Sequence, residues 1–394
     1  MMGANVESAA MLEQARQISE WLVTTRRELH QHPELSLQEK QTAARCAGVL
    51  EGMGLRVRRN LWGEGFIADL DVPGARQRVA LRADMDALPI TELNEVPWRS
   101  AHAGVAHMCG HDTHMTCALG AAKLLLAAKD RLKRNVRFIF QPSEETPPGG
   151  ALGLIERGCL EGVDEVYGLH NNPQLEVGQV ATRTGALTAA ADSFRITLTG
   201  RGGHASRPHE TIDPLPAACA LVLQLQTLVS RRVAPGVPAV VSVTQLTAGT
   251  THNIIPDAAF LQGTVRTFDE EVRKLLEDGM WAMADAAGKA HGLKVSFNFE
   301  RGYDSIVNHA SGVARVARAA AAVVGEKNVN VEQPAMTWGE DFSYYLQRKP
   351  GAFFLLGSGN RAKGICEPLH SPRMNVDESC LSLGAAILAQ LALD

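Results

Sequence analysis

The sequence predicts an α/β protein: a mixed, largely parallel sheet with helices on both faces, interrupted by a smaller α+β domain. Three observations carry that expectation. The chain has 394 residues, more than one compact core usually holds. Short apolar runs alternate with helical stretches in its first and last parts, the order that builds a parallel sheet. Between them stands a block whose elements run strand, helix, strand, strand, helix, strand.

The first forty residues read as helix, and "PELSLQEKQTAARCAGVLEGMGL" as a second, with Ser36 as N-cap and Glu39 as its capping-box partner. "RVALRAD" then reads as a strand, "THMTCALGAAKLLLAAKDRL" as a helix, and "NVRFIFQ" and "VDEVYGLH" as strands. The middle block opens with "DSFRITLTG", where Phe194, Ile196 and Leu198 alternate with polar residues. Asp213-Pro214 starts a helix through "LPAACALVLQLQTLVSRR". Two strands, "AVVSVTQLTAG" and "AAFLQGTVRTF", the helix "EEVRKLLEDGMWAMADAAGKAHG" and the strand "LKVSFNFE" complete it. That order is the signature of a ferredoxin-like sandwich. It is expected as an insertion at 186–297, leaving 1–185 and 298–394 to form the main domain, which ends with the strand "GAFFLLGSG" and the helix "DESCLSLGAAILAQLAL".

Composition narrows the function classes. With 45% hydrophobic and 21% charged residues the chain is an ordinary globular protein. A net charge of -4 offers no electrostatic case for nucleic acid or an anionic membrane as partner. No apolar stretch approaches the ~18–20 residues that span a bilayer, and "MMGANVESAAMLEQ" has no basic, then apolar, signal-peptide pattern. Seven scattered cysteines without framework spacing predict reduced thiols in a cytoplasmic protein.

The polar residues fall at strand ends. Asp84 and Asp86 follow "RVALR", Glu144 and Glu145 follow "NVRFIFQPS", His170 closes "VDEVYGL", and His370 lies after "GAFFLLGSG". Open α/β sheets bind ligands outside the carboxyl ends of their strands, so these groups are expected in one crevice with the "HMCGHDTH" loop. Cys109 alone reads as a buried thiol. Spaced as Cys-x-His with His111, with carboxylates and histidines to meet it, it reads as a metal ligand. Sulfur, imidazole and carboxylate together suit zinc, manganese, cobalt or nickel, and do not choose between them. Adjacent Glu144 and Glu145 form either a solvated loop or a pair in which one ligates metal and the other serves as general base on water. A nucleophilic Cys109 with His111 as its base is the rival, and leaves Glu144, Glu145, His170 and His370 idle. His114 is expected to line the helix start. His30, His32, His102 and His107 are expected in polar loops or on helix faces, and His209 and His252 to shape an interface of the inserted domain rather than take part in catalysis.

"LHQHPELSLQE", "LRADMDALP", "HMCGHDTH", "FQPSEE", "GLHN", "TGRGGHASRPH", "HNIIP", "GTVRTF", "GEDFSYY" and "LHSP" occur in an order that resembles one family over about residues 20 to 390. It is the amidohydrolase branch of the aminoacylase and carboxypeptidase metallopeptidases, which includes hippurate hydrolase, indole-acetyl-amino-acid hydrolases and N-acetyl-diaminopimelate deacetylase. The resemblance implies that Cys109, His111, Glu145, His170 and His370 hold two divalent metal ions, roughly 3.5–4 Å apart. Glu144 would be the general base, and Asp86 would support a ligand from behind. The sandwich would be a lid and dimerisation domain of a homodimer or higher homo-oligomer. From it His204 would reach the partner's site to stabilise an oxyanion, and Asn253 would approach substrate. Arg266, on the polar face with Gln262 and Thr264, would clamp a substrate carboxylate unless it is an ordinary ion pair. The implied substrate is a small N-acyl amino acid, with lid closure near residues 186 and 297 preceding chemistry. Three rivals stand beside it: a dipeptidase or aminopeptidase, an aromatic-amine C–N hydrolase, and an inactive small-molecule binding protein. Thr146-Pro147-Pro148, Trp338 and Met374 depart from the common pattern beside the expected pocket.

Overall fold

The structure, a computed structural model, describes residues 11–394. The chain divides into two compact units. The larger takes the residues through Leu187, then Ile306–Pro334 and Asp341–Asp394; the smaller takes Thr188–Ser305 and Ala335–Glu340.

The larger unit is built on an eight-stranded sheet. Its order is Arg56–Trp62, Gly65–Leu70, Asn135–Gln141, Arg78–Asp84, Glu165–Glu176, Gly351–Gly359, Val180–Ala181 and Val329–Asn330. The four middle strands run parallel to one another, and their near-continuous apolar runs are buried along most of their length. Strands of that kind need both faces covered. The helix His111–Ala127 is buried almost all round and packs on Cys380–Leu393 and Ser19–Gln31, as a helix apolar on every side must. Because the middle strands are parallel, Asp84, the turn after Gln141, and His170 emerge toward the same edge, in register Asp84 opposite Gln141.

Three elements depart from the sequence reading. Helix ends at Gln31 rather than running on toward residue forty. The hairpin Arg56–Trp62 and Gly65–Leu70 was not expected, since its outer strand is rich in arginine and largely solvated and lacks the apolar period. The helix Ala310–Val324 was also missed among small residues.

Ser36 and Glu39 do not form a capping box. The helix begins at Lys40, and its amides at Gln41 and Thr42 are met by the Glu34 carboxylate at 3.1 and 2.8 Å. The Ser36 hydroxyl instead donates to Asp86 Oδ2 at 2.7 Å, and Glu39 Oε1 accepts from the Ser143 amide at 2.8 Å. The pattern Ser-x-x-Glu is present, but Leu37 takes a left-handed φ of 64° and turns both side chains toward tertiary partners.

The smaller unit is the expected ferredoxin-like sandwich. Its antiparallel sheet runs Ala239–Ala248, Ala258–Thr267, Ala190–Thr199, Lys294–Glu300, with helices Pro214–Arg232 and Glu270–His291 closing a core of Phe194, Ile196, Leu198, Leu225, Leu261 and Leu276. Asp213 caps the first helix through Leu215 N, and Asp269 caps the second through Glu271 N and Val272 N. Position 297 falls inside the last strand, so the unit continues to Ser305. Arg273 fixes that extension, buried with its guanidinium on Asp192 at 2.9 Å and on Asp304. The return of Ala335–Glu340 was not legible in the sequence. It is held by hydrogen bonds from Ala189 N to Met336 O (2.9 Å) and from Arg266 Nε to Thr337 O (3.1 Å).

Candidate metal centre and catalytic pair

The larger unit brings Asp86, Cys109, His111, Glu144, Glu145, His170 and His370 together. Cys109 and His111 flank Gly110, which has a φ of 92°. A Cβ there would lie 2.2 Å from Asn171 Oδ1, so only glycine fits the loop that presents the two side chains. Cys109 Sγ stands 3.4 Å from His170 Nε2. His370, also left-handed at φ 66°, is pinned by its amide to Met108 O at 2.8 Å and places Nε2 3.4 Å from Glu145 Oε1. Its side chain is 53% exposed, which puts it at the mouth of the site. His111 Nε2 lies 3.9 Å from Glu144 Oε2 and 3.8 Å from Glu145 Oε1. Potential ligand atoms within 4.8 Å of one another include three groups made of the expected residues: Cys109, His111 and His170; Cys109, Glu145 and His370; His111, Glu144 and Glu145; another joins His111 to Asp84 and His114.

The donors fit divalent cations. Among the described residues, both ring nitrogens of His111 and Oε1 of Glu145 are buried without a hydrogen-bond partner of good geometry, a costly state for polar atoms unless a cation satisfies them. Burial alone would disfavour the His111 imidazolium. The carboxylates of Asp84, Asp86 and Glu145 outweigh it and carry the ring up to about 10. Burial, then the charges of Glu145, Glu144 and Asp84, pushes the Cys109 thiol well above its usual range. Both shifts have one origin: concentrated negative charge in a dry place, which positive ions would neutralise.

A further layer of side chains fixes the donors. Asp86 accepts from the amides of Glu144 (3.0 Å) and Glu145 (2.9 Å) and stands 3.4 Å from His111 Nδ1. His114, one turn after His111, bonds Asp84 through Nδ1 at 2.6 Å. Its Nε2 lies 3.0 Å from the Asn171 amide nitrogen and 2.8 Å from Asn171 Oδ1. His114, expected only to line the helix start, thus ties the helix of His111 to the strand of His170. Arg82 grips Asp84 (2.5 Å), Asp341 (2.8 Å) and Gln141 (2.9 Å). Burial works against the Asp84 carboxylate, but Arg82 and then His111 and His114 hold its carboxyl well below the usual range. Two histidines expected in polar surroundings are buried: His30 bonds Asp112 at 2.7 Å beside Arg26, and His107 is 1% exposed. Asn171 and Asp341 were missed, since nothing local marks them.

The other three expected site residues lie on the smaller unit. His204 and Asn253 share one two-stranded ribbon, where His204 pairs with Ile254 and the Ala205 amide bonds Asn253 O at 3.1 Å. Ser206 N donates to His204 Nδ1 at 3.1 Å, so a neutral ring carries its proton on Nε2, on an exposed side chain. Arg266 is half-buried on the face with Gln262 and Thr264. It bonds the carbonyls of Thr337, Asp192 and Val265, and among the described residues no carboxylate lies within ion-pair distance of it.

Residues 80–394 match the peptidase family M20/M25/M40. The chain is 39% identical over 372 residues to N-acetyl-L-cysteine deacetylase of Bacillus subtilis, covering 94% of this chain and 87% of that protein. It is 38% identical to thermostable carboxypeptidase 2 of Saccharolobus solfataricus, covering 96% of each. A crystal structure of a Bacillus subtilis dinuclear metal-binding peptidase of the M20 family superposes with TM-score 0.84 at 34% identity, over 96% of this chain and 98% of that one. With a two-unit α/β architecture in common and a cluster of sulfur, nitrogen and oxygen donors at the strand ends, the chain belongs to the peptidase family M20/M25/M40 and is a hydrolase of that family.

Proposed function

We propose that this protein is a metal-dependent amidohydrolase that cleaves N-acyl amino acids into a carboxylic acid and an amino acid. The observation that carries the reading is the Glu144–Glu145 pair facing His111, Glu144 buried and Glu145 half-buried, with Glu145 Oε1 lacking a hydrogen-bond partner among the described residues. Cys109, His111, Glu145, His170 and His370 would hold two divalent ions. When bound, such ions supply Lewis acidity that polarises an amide carbonyl and makes water acidic near neutral pH.

The chain's own groups do the rest. Glu144 takes the proton of the attacking water and returns it to the nitrogen as the C–N bond breaks. Asp86 keeps both glutamates aimed by holding their amides. His204, with its proton on Nε2, is the donor to the oxyanion, acting from a partner subunit in a homodimer formed through the smaller unit. That unit carries an exposed Leu223 (73%) on its first helix. Arg266, oriented by three carbonyls and without a carboxylate partner among the described residues, is the clamp for the substrate carboxylate, and Asn253 approaches the acyl amide. The free thiols support a reducing, cytoplasmic setting. N-acetyl-L-cysteine deacetylase, and an N-acyl-L-amino acid amidohydrolase of Geobacillus stearothermophilus that is 41% identical over 294 residues, support the substrate class. The similarity to thermostable carboxypeptidase 2 favours one second reading, removal of a carboxy-terminal residue from a peptide.

A substrate panel separates the two readings. Wild-type protein with manganese or zinc is expected to release amino acid from N-acetyl, N-benzoyl or indole-acetyl amino acids and to stop when chelated. Turnover confined to peptides would establish the carboxypeptidase reading, and no turnover of either set with metal bound would sink both.

A further inference from the structure

The segment just before the helix Lys40–Gly52 is placed against the catalytic pair. Three consecutive amides, those of Ser143, Glu144 and Glu145, point at buried carboxylates. Glu39 Oε1 takes the first at 2.8 Å, and the two oxygens of Asp86 take the others at 3.0 and 2.9 Å. Ser143 has a φ of 58°, a left-handed conformation that strains a serine and persists only where the surroundings impose it. Glu39 is 0% exposed and stands at the start of a helix anchored by buried Ala43, Cys46, Ala47 and Leu50. The same segment reaches Asp86 through the Ser36 hydroxyl, which also accepts from Thr146 Oγ1 at 3.0 Å.

We infer that Glu39 is a positioning residue for the reaction: its buried carboxyl holds the Ser143 amide and so sets the direction in which Glu144 and Glu145 leave the turn. The inference rests on the proposed roles of that pair. Without the Glu39 acceptor, the Ser143 amide is buried unpaired and the turn relaxes toward an ordinary φ, rotating both glutamates away from His111. Among the described residues the remaining oxygen, Oε2, is buried without a hydrogen-bond partner, and burial pushes the carboxyl up to about 7. One acceptor oxygen therefore suffices for the task, which glutamine supplies and methionine, of similar size, does not.

The test compares Glu39→Gln with Glu39→Met in two readouts: cobalt(II) binding to the chelator-treated protein, and kcat and KM on the best N-acyl amino acid. Glu39→Met is expected to fold and to lose about 10- to 100-fold in cobalt affinity, in kcat, or in both, at little change in KM. Glu39→Gln is expected to stay within threefold of wild type in each. The inference is overturned if Glu39→Met lies within threefold of wild type in both readouts, or if Glu39→Gln falls as far as Glu39→Met. Should the wild type turn over no N-acyl amino acid, the substrate assignment fails and cobalt affinity alone decides for or against Glu39.

Discussion

Glu39→Gln should make the protein more stable at neutral pH and leave it unchanged in acid. Burial is the largest influence on the Glu39 carboxyl and the charge of Asp86 adds to it. Amide donors, Ser143 among them, pull the other way, and the net result lifts it from 4.5 to about 7. Its folded pKa is raised, so the Glu39 contribution to stability is fully present below about 4.5, where both folded and unfolded states hold the proton, and is lost as pH climbs to 7. At about 1.4 kcal/mol per unit, that interval corresponds to about 3 kcal/mol. Glutamine cannot ionise and escapes the loss. Urea midpoints of chelator-treated wild type and Glu39→Gln should therefore coincide near pH 4.5 and diverge in favour of the variant by pH 8. A difference that is flat with pH, or a wild type that is the more stable at pH 8, would show that ionising Glu39 in its buried place costs the fold nothing.

Three further outcomes follow from single contacts. Gly110→Ala places a Cβ 2.2 Å from Asn171 Oδ1 at φ 92°, so metal affinity measured by competition with a chelator should fall at least about tenfold, since the backbone strain alone is roughly 1–2 kcal/mol. Unchanged affinity would mean that the loop does not position Cys109 and His111. Arg273→Leu strands Asp192 and Asp304 and should cost about 3–5 kcal/mol, read as a lower thermal midpoint, and a shift of less than a degree would contradict it. Arg266→Met should raise KM for N-acyl amino acids at least about tenfold while leaving the amide analogue lacking the carboxylate unaffected, and equal effects on both would remove Arg266 from substrate binding.

What the sequence made legible followed from local period and from unusual residue spacing. Apolar runs gave the middle strands because they are buried on both faces, and the strand-end position of Glu144, Glu145 and His170 pointed to one crevice because those strands are parallel. The edge hairpin at Arg56–Leu70 escaped because a solvated outer strand carries little apolar signal. Ser36 and Glu39 were misread because a capping box and a pair of tertiary hydrogen bonds look alike in one dimension; only the fold brings Asp86 and Ser143 to them. Asn171 and Asp341 stayed hidden for the same reason. Each is distant in sequence from what it holds, Asn171 some 57 residues from His114 and Asp341 some 259 from Arg82. The return of Ala335–Glu340 to the smaller unit likewise depends on backbone hydrogen bonds that no residue type advertises.

Glu144 is the proposed base beside a proposed two-metal site. The decisive measurement is turnover of an N-acyl amino acid by wild type and Glu144→Gln, each with its metal content determined on the same sample. Two ions per chain in both proteins, with turnover lost by about 10²- to 10⁴-fold in Glu144→Gln, is the predicted result. Turnover within tenfold of wild type in a fully loaded Glu144→Gln, or a wild type that is active with no metal bound, would contradict it.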